Sequence, residues 1–306
     1  MQADAVKDGP RDGYPLATTA KRYWLPELAA NADDPDALTL VLLHSTSFHK
    51  ETWEPSLEKL LKLSAQQGSR VSIREAWAID CPNHGEAGHL NERSLANDMR
   101  KLRIVSYQMD PTTPLVPFKS LIIVEPLISP AGPQHLNKLR SILVKGAHER
   151  RDVWPDRQMA MVMLKKRERT KKWDPRITEL FVQHAVVPHP GSYEKETPYT
   201  GVTLACTRDQ EAAMYRDADG PIKPVEDLRK ICAVIPVHLI LAGVNDFLPA
   251  RVHAAIQNPE YGGRYASVHK VSGVGHLIPQ EEPDKLGVIM YDALALDQAV
   301  NIKTKL

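Results

Sequence analysis

Five short apolar runs, each closing on a polar or ionisable residue, decide most of what this chain can fold into. Leu38 to Leu43 ends at His44, Val71 to Ile79 at Asp80, and Leu121 to Val124 at Glu125. Val237 to Ala242 leads through Gly243 to Asn245-Asp246, and Ala266 to Val271 leads into Ser272-Gly273-Val274-Gly275-His276. Leu38 to Leu43, Leu121 to Val124 and Val237 to Ala242 are continuous enough to read as strands buried on both faces of a parallel sheet, and Val71 to Ile79 and Ala266 to Val271 read as further strands. Such strands need helices around them. Pro55 to Gln67 supplies one, with Leu57, Leu60, Leu61 and Ser64 on one face and Gly68 as its stop, and Pro283 to Leu296 has the apolar spacing of a closing helix. Strands alternating with helices imply an α/β protein with a doubly wound, mostly parallel sheet.

Between Ile128 and Ile235 the pattern turns polar, helical and interrupted by proline, which reads as a cap inserted into the sheet domain. Arg157 to Arg169 is one of its helical stretches, and Pro188, Pro190, Gly191 and Pro198 mark a loop inside it. The expected organisation is a core in two pieces, residues 1–128 and 236–306, with a helical cap over 129–235. At 306 residues, 42% of them hydrophobic, the chain is long enough to fill the core of one such domain.

The 39 lysines and arginines against 38 acidic residues create no field that would favour nucleic acid or a membrane surface, so a small-molecule partner is expected. Cys81, Cys206 and Cys232 are odd in number and widely spaced, which argues against a disulfide framework and for a reducing, intracellular compartment. No stretch approaches the ~20 apolar residues of a membrane span, and Asp4, Asp8, Asp12 and Glu27 break up any signal core. Thr304-Lys305-Leu306 approximates a peroxisomal address, with the cytoplasm as the other expectation.

In an open parallel sheet, ligands sit at the carboxyl ends of the strands, so the residues just beyond each run are the candidates for chemistry. His276 lies on a glycine-flexed loop past a strand and suits a general base; its bland reading is a surface histidine. Glu125 and Asp246 are the two carboxylates that could orient it, and the sequence leaves the choice open. Asp246 would otherwise cap a helix starting near Pro249. Glu125 follows an almost wholly apolar strand, where an unpaired carboxylate is costly. His44, Ser45 and Thr46, with Ser47 and Phe48, form a loop that either presents backbone N–H groups to an oxyanion or is a plain turn. Cys81, His84, Glu86 and His89 have metal-donor side chains but match no closed four-ligand spacing, so neither metal nor cofactor is expected. The run Lys165, Lys166, Arg167, Arg169, Lys171, Lys172 reads first as a solvated face, and secondarily as a contact for an anionic substrate.

Taken in this order, the residues resemble the α/β-hydrolase superfamily, and within it the fungal hydrolases of host-selective toxin and mycophenolic acid biosynthesis, several of which are peroxisomal acyl-CoA thioesterases. The resemblance rests on Leu43-His44 with Glu51-Thr52-Trp53-Glu54-Pro55, and on Ser120 through Ile128. It continues in Arg151-Asp152-Val153-Trp154-Pro155-Asp156-Arg157 and Gly275-His276-Leu277-Ile278-Pro279. It implies hydrolysis of an ester or acyl-CoA thioester by a serine on a Gly-His-Ser-x-Gly elbow, an acid at the strand holding Glu125, commonly aspartate, and the base at His276.

No Gly-x-Ser-x-Gly occurs anywhere in the chain. Its place is the interval between Gly88 and Leu121, which would have to hold a helix, a strand, the elbow and another helix. With helices of about 11 residues and strands of about 5, that interval is exhausted before the second helix is complete, and Pro111, Pro114 and Pro117 shorten it further. Ser106, in Ile104-Val105-Ser106-Tyr107, lacks the glycines that relieve a strained elbow. The expectation is a fold with its central strand and elbow helix missing, the junction near residues 100 to 108. Two functional readings follow: a hydrolase of the kind the resemblance implies, weak or inert in this chain, and a truncated or non-catalytic binding protein.

Overall fold

The computed structural model describes residues 1–9, 16–97, 118–190, 200–260 and 263–304. In chain order the core opens with β1 (Gln2–Asp8), β2 (Thr18–Trp24) and β3 (Leu38–Leu43). A 3₁₀ turn over Lys50–Trp53 then leads into α1 (Glu54–Ser64), followed by β4 (Ile73–Ile79), α2 (Gly85–Leu90), α3 (Glu92–Asn97) and β5 (Leu121–Val124). The inserted region holds α4 (Asn137–Glu149), β6 (Val153–Trp154), α5 (Arg157–Lys166), α6 (Pro175–His184), β7 (Val186–Pro188), β8 (Val202–Leu204), α7 (Arg208–Arg216) and α8 (Lys223–Cys232). The core closes with β9 (Val237–Ala242), α9 (Ala250–Gln257), β10 (Ser267–Val271), α10 (Ile278–Glu281) and α11 (Pro283–Thr304).

The strands fall into a four-stranded sheet ordered β1-β2-β4-β3 and a three-stranded sheet ordered β10-β9-β5. β3 runs parallel to β4, and β5, β9 and β10 are mutually parallel, whereas β1 and β2 pair antiparallel. A single apolar cluster joins the two sheets: Leu42, Ile73, Ala76 and Ala78 from the first and Ile240 and Val271 from the second pack on Leu57, Leu60 and Leu61 of α1 and Leu286, Met290 and Leu294 of α11. Burying each of those leucines contributes about 2 kcal/mol. The two helices approach so closely that a Cβ on Gly287 would lie 2.5 Å from the Ser56 carbonyl oxygen. Among the described residues no strand joins β3, which ends the first sheet, to β5, which ends the second.

Two strands expected to be buried on both faces are not. In β3, Leu38, Leu40 and Leu42 turn toward the α1–α11 layer, while Val41 and Leu43 on the other face are 49% and 50% exposed. All four residues of β5 are half-buried. Both strands terminate their sheets, so among the described residues they lack the neighbour whose side chains and covering helix would close that face. By contrast β9, between two partners, is buried at every position.

Residues 129–235, expected as a helical cap, also hold a small antiparallel sheet, β6-β8-β7. Strands of two or three residues are too short to show a period of two. A second apolar cluster gathers Trp154, Ala160, Leu164, Trp173, Ile177, Phe181, Val186 and Leu204 from this region, and it also takes in Phe48 and Leu277. Asp156 caps α5 by accepting the Met159 N–H at 2.6 Å, and a reciprocal Thr207–Gln210 box caps α7. Among the described residues no helix is long and apolar enough to cross a membrane.

Candidate active site

Glu125, just after β5, sits in the left-handed region at φ +45°. Its carboxylate is buried and satisfied on two sides. Oε2 accepts the Ala242 N–H at 2.6 Å, and Oε1 lies 2.7 Å from Nε2 of His253 on α9. His253 Nδ1 in turn accepts from the Asn245 side-chain amide at 2.8 Å. That amide donor makes Nδ1 the acceptor, so Nε2 carries the hydrogen and donates to Glu125. The same Oε1 faces Nδ1 of His276 at 3.7 Å, beyond hydrogen-bonding reach, and Nδ1 is buried with no hydrogen-bond partner among the described residues.

His276 is held by its backbone and by its ring face. Asp246 Oδ1 accepts the His276 N–H at 2.9 Å, and the Phe247 ring stacks on the imidazole at 4.2 Å and 14°. Gly275 is required here because a Cβ would fall 2.1 Å from Asp246 Oδ2. Asp246 is therefore not a helix cap: α9 begins at Ala250 with Pro249 at its N-cap and no side-chain cap, and the aspartate fixes the histidine loop instead. Of the two candidate carboxylates, Glu125 faces the ring nitrogen and Asp246 the backbone. Arg169 of the basic run stands 6.0 Å from the Phe247 ring, so that run reaches the histidine through one aromatic side chain.

The loop after β3 is tightly tied. His44 is buried, its Nδ1 donating to the Ser45 carbonyl at 2.8 Å and its Nε2 accepting the Cys81 N–H at 3.0 Å. Ser47 sits at φ +76°, donates its N–H to His84 Nε2 at 2.8 Å and its hydroxyl to Glu211 Oε1 at 2.7 Å, and the Phe48 N–H reaches the Ser45 carbonyl at 3.2 Å. The Ser45 and Thr46 N–H groups remain without an acceptor among the described residues. Leu277, next to His276, packs in the same cluster as Phe48, which brings the histidine loop to this one. Burial holds both His44 and His84 below the ordinary histidine range, so both rings are neutral.

Cys81, His84, Glu86 and His89 do not converge. His84 serves Ser47 and Asn83, Glu86 pairs with Lys7 and Lys50, and His89 stands 3.8 Å from Glu92. Burial, then Asp80, pushes the Cys81 thiol up to about 11, leaving it a poor nucleophile and metal ligand at neutral pH. Among the described residues no three such side chains are grouped to hold a metal ion. The three cysteines are unpaired.

Beneath the loop lies a buried ionic centre that the sequence did not reveal. Lys50, 1% exposed, reaches Asp80 Oδ2 at 2.7 Å and Glu51 Oε1 at 3.2 Å, and Thr19 also donates to Asp80 at 2.8 Å. Burial lowers the affinity of Lys50 for its proton, but Asp80 and Glu51 outweigh it and hold the ammonium above its ordinary range. His253 was missed as well: a histidine in an amphipathic helix carries no local signal of the carboxylate it meets. Ser106 and the expected junction near residues 100 to 108 lie outside the described residues.

No family model and no curated protein matches the sequence. Solved structures do match over nearly the whole chain. A peroxisomal α/β-hydrolase of Saccharomyces cerevisiae is 15% identical over 96% of this chain and 89% of its own, with a TM-score of 0.61. E-2-(acetamidomethylene)succinate hydrolase is 11% identical over 94% of this chain and 98% of its own, at 0.60. The thioesterase domain from the curacin biosynthetic pathway is 13% identical over 94% and 99%, at 0.56. At these identities the likeness shows the fold: the chain has the α/β-hydrolase fold.

Proposed function

We propose that this chain carries the base, the acid and the oxyanion donors of an acyl hydrolase without its nucleophile, and that as it stands it turns substrate over very slowly or not at all. The observation that carries the reading is the placement of His276 Nδ1 3.7 Å from Glu125 Oε1 at the carboxyl edge of the parallel strands. In a complete site of this kind, a serine hydroxyl attacks the acyl carbonyl and the histidine takes its proton. Backbone N–H groups, here those of Ser45 and Thr46, hold the oxyanion, and water releases the acyl group. Glu125 is the acid in this reading, since Asp246 is spent on the His276 backbone.

The substrate class we propose is an ester or an acyl-CoA thioester of fungal secondary metabolism, as in toxin biosynthesis, and the location is the peroxisome through Thr304-Lys305-Leu306. Lys305 and Leu306 lie outside the described residues. The half-exposed β3 and β5, which end the two sheets with no strand between them among the described residues, support loss of one block holding central strand, elbow and helix. A truncated product or a non-catalytic binding protein is the second reading; of these two a missing core strand favours the truncated product, because a binder shaped by selection would lose side chains before it lost core.

Two experiments test this. Genomic DNA between the codons for Arg100 and Asp110 is expected to hold an in-frame stretch encoding a serine elbow; uninterrupted coding sequence there would remove the omitted-block explanation. Treating the purified chain with a fluorophosphonate, which captures activated serines, should leave it unmodified by mass spectrometry. A serine adduct that vanishes in His276→Ala would show that a nucleophile is present after all.

A further inference from the structure

A concavity of about 480 Å³ lies between α4 and α7, lined by Asn137, Arg140, Ser141, Lys145, Tyr215 and Arg216 among others. That size suits a small molecule. Three of its lining residues are cations and, among the described residues, none is a carboxylate. Of the nearby acids, Glu211 is engaged with Arg150 and Ser47 and Asp209 with His148 at 3.5 Å, while Glu149 makes only an exposed, solvent-screened pair with the cleft's Lys145 at 3.7 Å. The guanidiniums are positioned by neutral groups. Arg140 donates Nε to the Tyr215 carbonyl at 3.2 Å and Nη2 to the Arg216 carbonyl, and Arg216 donates to His148 Nε2 at 2.8 Å. These bonds fix the forks without neutralising them, which is the arrangement that binds a multiply charged oxyanion at low ordering cost.

We infer that this cleft binds a small molecule through its phosphate groups. Tyr215 gives the site its direction: it lines the cleft while its hydroxyl lies 3.4 Å from Ser47 Oγ, in the His44–Phe48 loop. A ligand anchored by phosphate at Arg140, Lys145 and Arg216 is thereby one side chain away from the His44–Phe48 loop. Only this direction rests on the hydrolase reading; the phosphate site itself does not.

The test is calorimetric titration of the full chain with inorganic pyrophosphate at low ionic strength, alongside Lys145→Glu, Lys145→Arg and Lys165→Glu. Lys145 is exposed, so its replacement leaves packing untouched. The expected result is saturable binding that weakens about tenfold in Lys145→Glu, a change of about 1.4 kcal/mol. Lys145→Arg and Lys165→Glu should retain it within about twofold, since Lys165 is a basic position on α5 outside the cleft. No binding by the unaltered chain, or equal losses in Lys145→Glu and Lys165→Glu, would overturn the inference. Because binding is read without turnover, an inert chain that binds pyrophosphate leaves the cleft standing. Ester hydrolysis without pyrophosphate binding removes the cleft alone.

Discussion

His253 Nε2 donates to Glu125 Oε1 at 2.7 Å, so the carboxylate that faces the candidate base is held by a second histidine from a different helix. The bond settles how a carboxylate can be almost wholly buried at the end of an apolar strand. Replacing His253 with Ala leaves that charge with one backbone donor, and a buried hydrogen bond to a charged group contributes about 1.5–3 kcal/mol. Urea unfolding should show a loss of that size for His253→Ala and a smaller one, about 1 kcal/mol, for Asn245→Ala. A His253→Ala protein as stable as the parent would mean that the network is not formed.

The buried Lys50 should be the most sensitive single charge. Removing it strands Asp80 and Glu51 out of water, and breaking a buried pair from one side costs about 3–5 kcal/mol. Lys50→Met is therefore expected to lower the thermal midpoint far more than exposed Lys62→Met, whose partner Glu58 is solvated. Equal effects of the two in calorimetry would contradict a buried ionic centre.

Acid sensitivity should trace to Glu51. Burial raises its affinity for a proton, but the hydrogen bond from His49 and the charges of His184 and Lys50 outweigh it and hold the carboxyl below its ordinary 4.5. A group with a depressed folded-state pKa contributes stability that is fully present above its unfolded value and is lost as pH falls through the folded one. The contribution is thus complete above about pH 5 and disappears progressively below about 4.5. Glu51→Gln should flatten that part of the stability–pH curve; an unchanged acid slope would place the sensitivity elsewhere.

The open face of β3 makes a prediction opposite to that of a central buried strand. Val41 is about half exposed, so Val41→Thr should change stability by no more than about 0.5 kcal/mol. Leu42→Ala, on the covered face, should cost about 2–5 kcal/mol. A Val41→Thr loss near that of Leu42→Ala would show that something covers β3 on both sides.

The sequence made the interior of the sheet legible and its margins obscure. β9 is uninterrupted Val-His-Leu-Ile-Leu-Ala between two partners, and its run and its burial agree. β1 is exposed at all its positions and shows no alternation, so no periodicity announces it; its pairing with β2 alone makes it a strand. At the site, His276 and Glu125 were visible because each follows an apolar run, and the rule that ligands meet strand ends selects them. His253, Lys50 and Tyr215 were not, because each gains its meaning from a partner more than 30 residues away or from a buried charge. The role of Asp246 needed coordinates too, since its contact is to a backbone N–H.

The most direct test of a site that keeps its base and acid but lacks a nucleophile is steady-state hydrolysis of an acyl-CoA thioester, followed by thiol release, for the unaltered chain and for His276→Ala. The account predicts that the two rates coincide with each other and with the buffer background. Turnover above background in the unaltered chain that falls to background in His276→Ala would contradict it, because a working nucleophile would then have to be present.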